Sequence, residues 1–224
     1  MKLDCASMEI GLWRLVSGSK IRRGVINRIV RGRKWFADKK KPGCYLNLGC
    51  GPNTNLEFYN LDYEWRPGVD VVWDARRGLP FENGYCDGVF SEHMLEHLSF
   101  ADGLALLGEC RRVLRVGCVL RIVVPDGELY LTEYARHLAG ESICMPHGES
   151  DKAQFAIVTP MVSINRIFRN HGHKFIWDFE TLRLALQGAG FADVWKCGFG
   201  QGRDPKLLLD SEYRRAESLY VEAI

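Results

Sequence analysis

The spacing of apolar positions changes along the chain, and each change marks an element. Cys44 to Leu48 is a short apolar run broken by Asn47, and it feeds Gly49-Cys50-Gly51; this predicts a buried strand followed by a glycine turn. Glu57 to Leu61 and Val69 to Trp73 predict a second and a third strand, closed by Asp62 and Asp74. Cys86 to Phe90 predicts a fourth, Val119 to Val124 a fifth that stops at Pro125-Asp126, Val194 to Phe199 a sixth and Ser218 to Ala223 a seventh. Helical spacing predicts a helix over Ser99 to Leu114, with Leu104, Leu107 and Leu114 inward and Arg111, Arg112 and Arg115 at a basic end that suits a helix C-terminus. A second helix is predicted over Asp178 to Gln187, with Leu182 and Leu186 inward and Gly188 to Gly190 as its stop. Strands, turns and helices in this order predict an α/β fold with a doubly wound, mostly parallel seven-stranded sheet.

The first crossovers are short. About nine residues separate the first two strands, and Tyr63 to Gly68 separates the next two, whereas a parallel crossover normally takes roughly a dozen residues or more with a helix. One face of this half-sheet therefore lacks its usual helices. Parallel sheets need cover on both faces, so the N-terminal segment or a second subunit, in a homodimer, is expected to supply it.

Charge separates the N-terminal segment from the rest. The net charge is +2, but residues 1–41 hold twelve Lys and Arg against three acids, a net of +9, which leaves −7 for the remainder. Ile21, Val25, Ile26, Ile29 and Val30 fall on one side of a helical wheel and Lys20, Arg23, Arg28, Arg31 and Lys34 largely on the other. This basic amphipathic arm can dock on the domain, contact a membrane surface through residues 10–36, or meet a polyanion. The expected organisation is the arm at 1–41 and one domain at 42–224, with 127–175 inserted after the fifth strand as a substrate-pocket segment. No apolar run approaches the roughly 18 residues that span a bilayer, and the eight cysteines show neither a Cys-x-x-Cys pair nor zinc spacing. The expected location is the cytoplasm, with peripheral contact at the inner membrane surface open through the arm.

Taken in order, Leu46-Asn47-Leu48-Gly49-Cys50-Gly51, the strand-closing Asp62 and Asp74, Leu79-Pro80-Phe81, the Ser91 to Leu98 stretch and Arg111 to Gly117 resemble a class I S-adenosylmethionine-dependent methyltransferase. Asn165 to Phe175, read Asn-x-x-Phe-Arg-x-x-Gly-His-Lys-Phe, is similar to a poorly characterised bacterial branch of such enzymes. The resemblance implies a Rossmann-like methyltransferase fold with an antiparallel last strand and S-adenosylmethionine as cofactor. It implies a cofactor site of Asn47, Leu48, Gly49, Cys50, Gly51, Asp62, Tyr63, Trp73, Asp74, Ala75, Ser91, Glu92 and His93, with Asp62 on the ribose hydroxyls and Asp74 on the adenine amino group. Asn47 stands where an acidic residue is common, and Val116-Gly117-Cys118 where Pro-Gly-Gly is common.

S-adenosylmethionine is already activated, so the chain has mainly to align the acceptor and, for an alcohol, to remove its proton. His93, His171 and His173 are the candidate catalytic residues, with Asp126 and Glu92 behind them. His93 and His97, four apart, would share a helical face, yet no third ligand is placed by motif, so no metal is expected. The fourth strand lacks the Asp/Asn-Pro-Pro-Tyr/Phe and Pro-Cys endings of base-modifying enzymes, which argues against a specific nucleic-acid substrate. A hydroxyl on a saccharide or small metabolite is the expected acceptor. Two other readings stay open: a catalytically silent S-adenosylmethionine-binding partner module, and a nicotinamide-dependent oxidoreductase, which the Thr54 in place of a third glycine disfavours.

Overall fold

The structure, a computed structural model, describes residues 43–148 and 157–224. The seven predicted strands are all present, as β1 (Tyr45–Leu48), β2 (Tyr59–Asp62), β3 (Val71–Val72), β4 (Cys86–Glu92), β5 (Leu114–Pro125), β6 (Val194–Cys197) and β7 (Ser218–Ala223). They form one sheet in the order β3-β2-β1-β4-β5-β7-β6. The first five run parallel, and β7 pairs antiparallel with both β5 and β6. The helices are α1 (Phe100–Val113), α2 (Gly127–Leu138), α3 (Pro160–Arg169) and α4 (Phe179–Gly188). Ser99, Asp126 and Asp178 cap α1, α2 and α4 by accepting from a backbone N–H in the first turn. No described helix is long and apolar enough to cross a membrane.

Strict alternation along the strands gives the sheet two different faces. Leu46, Leu48, Leu61, Leu120, Ile122, Val124, Leu219 and Val221 point to one face, where Leu106, Leu107, Cys110 and Val113 of α1 and Leu182 and Leu186 of α4 close the main core. The predicted stripe of α1 is rotated in one detail: Leu104 is exposed and Leu106 and Cys110 face the core instead. Position 106 lies on the same side as 107, 110 and 113 at 3.6 residues per turn, and 104 does not.

On the opposite face Phe58, Phe90, Val119, Val123 and Tyr220 pack around Leu207. This is the face expected to lack helices, and indeed only turns join β1 to β2 and β2 to β3. Among the described residues its centre is covered by the β6–β7 connection, residues 198–217. Arg121, fully buried on β5, fastens that connection: its guanidinium donates to Asp210, at 2.8 and 2.5 Å, to Glu222 on β7 at 3.0 Å, and to the carbonyl of Gln201 at 2.9 Å. Gly198 to Lys206 thus form the first part of this cover. The arm at 1–41, and with it the expected docking or membrane contact of residues 10–36, lies outside the described residues.

The fifth strand begins earlier than its apolar run. Leu114 pairs with Cys86 and Val119 with Gly88, so the residues between form a bulge, with Gly117 at φ 80° in place of a turn before the strand.

Candidate functional site

At the carboxyl end of β1 the chain folds back over β2, and the N–H groups of Gly49 and Cys50 both donate to the Leu61 carbonyl, at 2.8 and 3.1 Å. Gly49 and Gly51 have φ of 70° and 51°, which a side chain would strain. A Cβ at Gly51 would meet nothing within 4 Å, whereas one at Gly49 would lie 2.2 Å from Cγ of Met94. The turn therefore offers bare backbone, with the Met94 side chain lying across one of its glycines.

Asp62, at the end of β2, is turned to the same place. One carboxylate oxygen accepts from Gly51 N and the other from Glu64 N, both at 2.8 Å. Burial pushes its pKa up. Each oxygen keeps lone-pair capacity for a further donor. Asp74 is held by Arg76 through two side-chain bonds of 2.8 and 2.7 Å, and Trp73 donates from its indole to the Gly78 carbonyl at 2.6 Å. These residues, with Tyr63 and Ala75, line a cavity of about 630 Å³. Volume, glycine turn and a carboxylate with spare acceptors fit a nucleoside carrying a short polar chain.

Five of the expected cofactor residues do not reach this cavity. Asn47 points to the opposite face and donates to the Asn53 carbonyl at 2.8 Å and to Asn60 at 3.1 Å, so it braces the turn. Leu48 and Cys50 are buried in apolar clusters. Ser91 donates to the Leu48 carbonyl at 3.1 Å, and Glu92 accepts from Ser211 N at 2.8 Å and from its hydroxyl at 2.5 Å. They lie on the right strands but alternate away from the cavity or are spent on their neighbours.

A second cavity, of about 480 Å³, adjoins the first, and His93, His97 and His171 line both. Its other walls include Glu96, His147, Arg166, His173, Tyr213, Arg214 and Glu217. Among the described residues the non-glycine positions with positive φ are His93, His147 and His171, at 48°, 59° and 58°, and all three line this cavity. Left-handed backbone at a residue with a side chain costs energy, and its concentration here marks a surface shaped for something other than stability.

The three candidate catalytic histidines are not equivalent. His93 Nδ1 faces an Arg214 guanidinium N–H, which can only donate, so Nδ1 accepts. Its Nε2–H then donates to the Ser218 hydroxyl at 2.8 Å, and that hydroxyl donates to the Arg214 carbonyl at 2.8 Å. Burial, with Arg214 beside it, pushes the pKa of His93 down to about 3. His93 is a neutral ring with both nitrogens committed. His173 gives its Nδ1–H to the Ile167 carbonyl at 2.6 Å. His171 is exposed at the junction of the cavities, and among the described residues no hydrogen bond ties up its ring. Asp126, the more distant candidate, caps α2 and lies 3.6 Å from Lys196.

His93 and His97 do not share a helical face, because the chain after β4 is a turn with 3-10 geometry only at Leu95–His97. His97 is half-buried, with its ring edge-on to His173 at 4.9 Å. Tyr213, Arg214 and Glu217 escaped the sequence reading although topology announces them. Ser218 pairs with Pro125, so the antiparallel β7 starts where the parallel strands end, and residues just before it fall at the ligand edge.

Comparison with known proteins agrees with the architecture. Residues 54–122 match the model of a methyltransferase domain. A solved S-adenosylmethionine-dependent methyltransferase of Archaeoglobus fulgidus is 18% identical over 98% of this chain and 99% of that one, with a TM-score of 0.50. A Thermotoga maritima structure described as a possible histamine N-methyltransferase is 16% identical over 95% and 97%, with a TM-score of 0.48. Phosphoethanolamine N-methyltransferase 2 of Haemonchus contortus, solved with S-adenosylmethionine, is 13% identical over 89% and 52%, with a TM-score of 0.47. No curated protein matches the chain in sequence. Strand order, domain match and the archaeal structure give this chain the class I S-adenosylmethionine-dependent methyltransferase fold, with S-adenosylmethionine as the cofactor of that class.

Proposed function

We propose that the chain transfers a methyl group from S-adenosylmethionine to a hydroxyl of a saccharide or related polar metabolite, with the glycine-turn cavity holding the cofactor and the histidine-lined cavity holding the acceptor. In this reading Gly49 and Gly51 give backbone approach, Asp62 accepts the ribose hydroxyls, and Trp73 and Ala75 flank the adenine. When bound, the cofactor supplies a methyl group on a sulfonium that needs no further activation. The chain's own task is to align the acceptor, exclude water and take a proton.

The observation that carries the reading is the polarity of the second cavity where it meets the first. Five imidazoles, two arginines, Glu96 and Glu217 line it together with Tyr130, Tyr213, Pro125 and Ile167. The ionisable side chains among them suit a polyhydroxylated or anionic acceptor. His171 is assigned the hydroxyl proton, because it lies where the two cavities meet, whereas both ring nitrogens of His93 are committed and His173 lines the second cavity alone. The nicotinamide reading has no support here: no helix follows β1, so its N-terminus is not available to a pyrophosphate.

Incubation of the full chain with methyl-labelled S-adenosylmethionine and a cell-envelope saccharide fraction tests the proposal. Label that enters saccharide and survives mild alkali, as an ether does and an ester does not, is expected. Transfer confined to RNA or protein contradicts it.

A further inference from the structure

Glu96 is the one charged group at the site whose burial the methyl-transfer reading leaves unexplained. It is 0% exposed, and neither carboxylate oxygen has a hydrogen-bond partner among the described residues. A buried carboxylate left so is expensive, and such groups are ordinarily paired or coordinate a metal. Its nearest polar neighbours are imidazole nitrogens: Nδ1 of His93 at 3.3 Å and Nε2 of His173 at 4.0 Å from Oε1.

Neither nitrogen brings a proton in its neutral ring. His93 Nδ1 accepts from Arg214, and His173 Nδ1 carries the proton given to the Ile167 carbonyl, which leaves the lone pair on Nε2. His97, the residue after Glu96, completes the group: one ligand atom each from Glu96, His97 and His173 lie within 4.8 Å of one another. One possible ligand atom from each of the three side chains thus faces a common space, and no hydrogen bond from a described residue reaches the Glu96 carboxylate.

We propose that Glu96, His97 and His173 bind a first-row divalent transition-metal ion, of the zinc and cobalt class, at the wall of the acceptor cavity. Two imidazoles and one carboxylate are a donor set for such ions and leave coordination positions open. Bonds of roughly 2.0–2.2 Å need the three side chains to draw in only modestly from their present separations. The partner bond that orients a metal-bound histidine is already made, His173 Nδ1–H to Ile167 O at 2.6 Å. The loop is also tied down beside the acid, since the N–H groups of Lys174 and Phe175 donate to the Glu96 carbonyl at 2.8 and 3.2 Å. His93 is left out of the set because Arg214 occupies its free nitrogen. His97 and His173 lie 76 positions apart in the sequence, so spacing along the chain hides the third ligand.

All three residues line the acceptor cavity, so the open positions of the ion face the acceptor. There the ion would polarise the acceptor oxygen and make its proton easier for His171 to take. That role rests on the proposed function; the binding site itself does not.

The test uses the full chain, stripped with a chelator, checked for residual metal, and titrated with Co²⁺ and then Zn²⁺. One equivalent of Co²⁺ per chain is expected to give a visible d–d spectrum without thiolate charge transfer, and Zn²⁺ to abolish it. Glu96→Gln and His173→Ala should each weaken binding by more than roughly 100-fold, beyond what loss of an outer partner costs, while His137→Ala, at an exposed histidine of α2, leaves it unchanged. Absence of stoichiometric binding to the wild-type chain overturns the proposal, whatever the variants do. So does a thiolate band, or an affinity indifferent to both substitutions. Titration of the same samples with S-adenosylmethionine reports separately: cofactor binding without metal removes the ion and leaves the proposed function standing.

Discussion

The two cavities meet at His93, His97 and His171, yet they are built in opposite ways. The glycine-turn cavity is drawn chiefly from Gly49 to Arg76, a stretch in which each strand end delivers its residue directly to the ligand edge. The histidine-lined cavity is collected from the turn after β4, the segment between α2 and α4, and the end of the β6–β7 connection. The first depends on regular strand geometry and two glycines. The second depends on long-range contacts and on three histidines held with left-handed backbone. A cofactor common to a whole fold can be met by local rules, whereas an acceptor particular to one protein is met by loops that only tertiary structure brings together.

If the division is real, the two halves respond to different substitutions. The largest effect is expected from His171→Ala: kcat for methyl transfer falls about 10²- to 10⁴-fold, the usual range for a general base, while calorimetric affinity for S-adenosylmethionine changes less than about twofold. A variant that loses both equally would break the comparison. Arg121→Met comes next. It leaves Asp210 and Glu222 buried without their cation, and about 3–5 kcal/mol of unfolding free energy in urea should be lost. Because the same ion network fastens the connection that ends in Tyr213 and Arg214, acceptor KM should rise more than cofactor Kd in whatever remains folded. A loss below about 1 kcal/mol would mean that the connection is held by Leu207 and its apolar neighbours alone. Met94→Ala has the smallest expected effect and the opposite sign. Removing the side chain that lies across Gly49 should tighten S-adenosylmethionine binding by about two- to tenfold, since the turn no longer has to be cleared. Weaker binding would show Met94 to be part of the cofactor's wall.

How much was legible follows the same division. Short apolar runs bounded by turn residues located every strand, and the acidic ends of β2 and β3 could be named with their places. Asn47 does not line the cavity for a simple reason: in a strand, adjacent residues face opposite sides, and 47 alternates with Leu46 and Leu48 away from the core that α1 and α4 close. Ser91 and Glu92 sit at the expected strand end, but their groups are taken by the Leu48 carbonyl and by Ser211, partners 43 and 119 positions away. No local pattern reports such bonds. The bareness of one face was also legible from the shortened crossovers, while the cover that Leu207 and the Arg121 network give it was not, because the connection carries no helical or strand periodicity. Nothing in the sequence around Glu96 marks it; only burial without a partner separates it from an ordinary capping acid.

Asp62 carries the central claim, that the glycine turn and the end of β2 form the cofactor site. Calorimetric titration of the full chain with S-adenosylmethionine, S-adenosylhomocysteine and NAD, repeated on Asp62→Ala, tests it most directly. Both sulfur ligands should bind at one per chain and NAD should not. The substitution should weaken S-adenosylmethionine about 100-fold, some 2.7 kcal/mol, as expected for charge-assisted bonds to two hydroxyls. Since burial raises the Asp62 pKa above its ordinary 3.8, binding should be full above the raised value and fade as pH falls through it, earlier than an exposed aspartate would allow. Binding of NAD, or S-adenosylmethionine affinity indifferent to Asp62→Ala, would contradict the account.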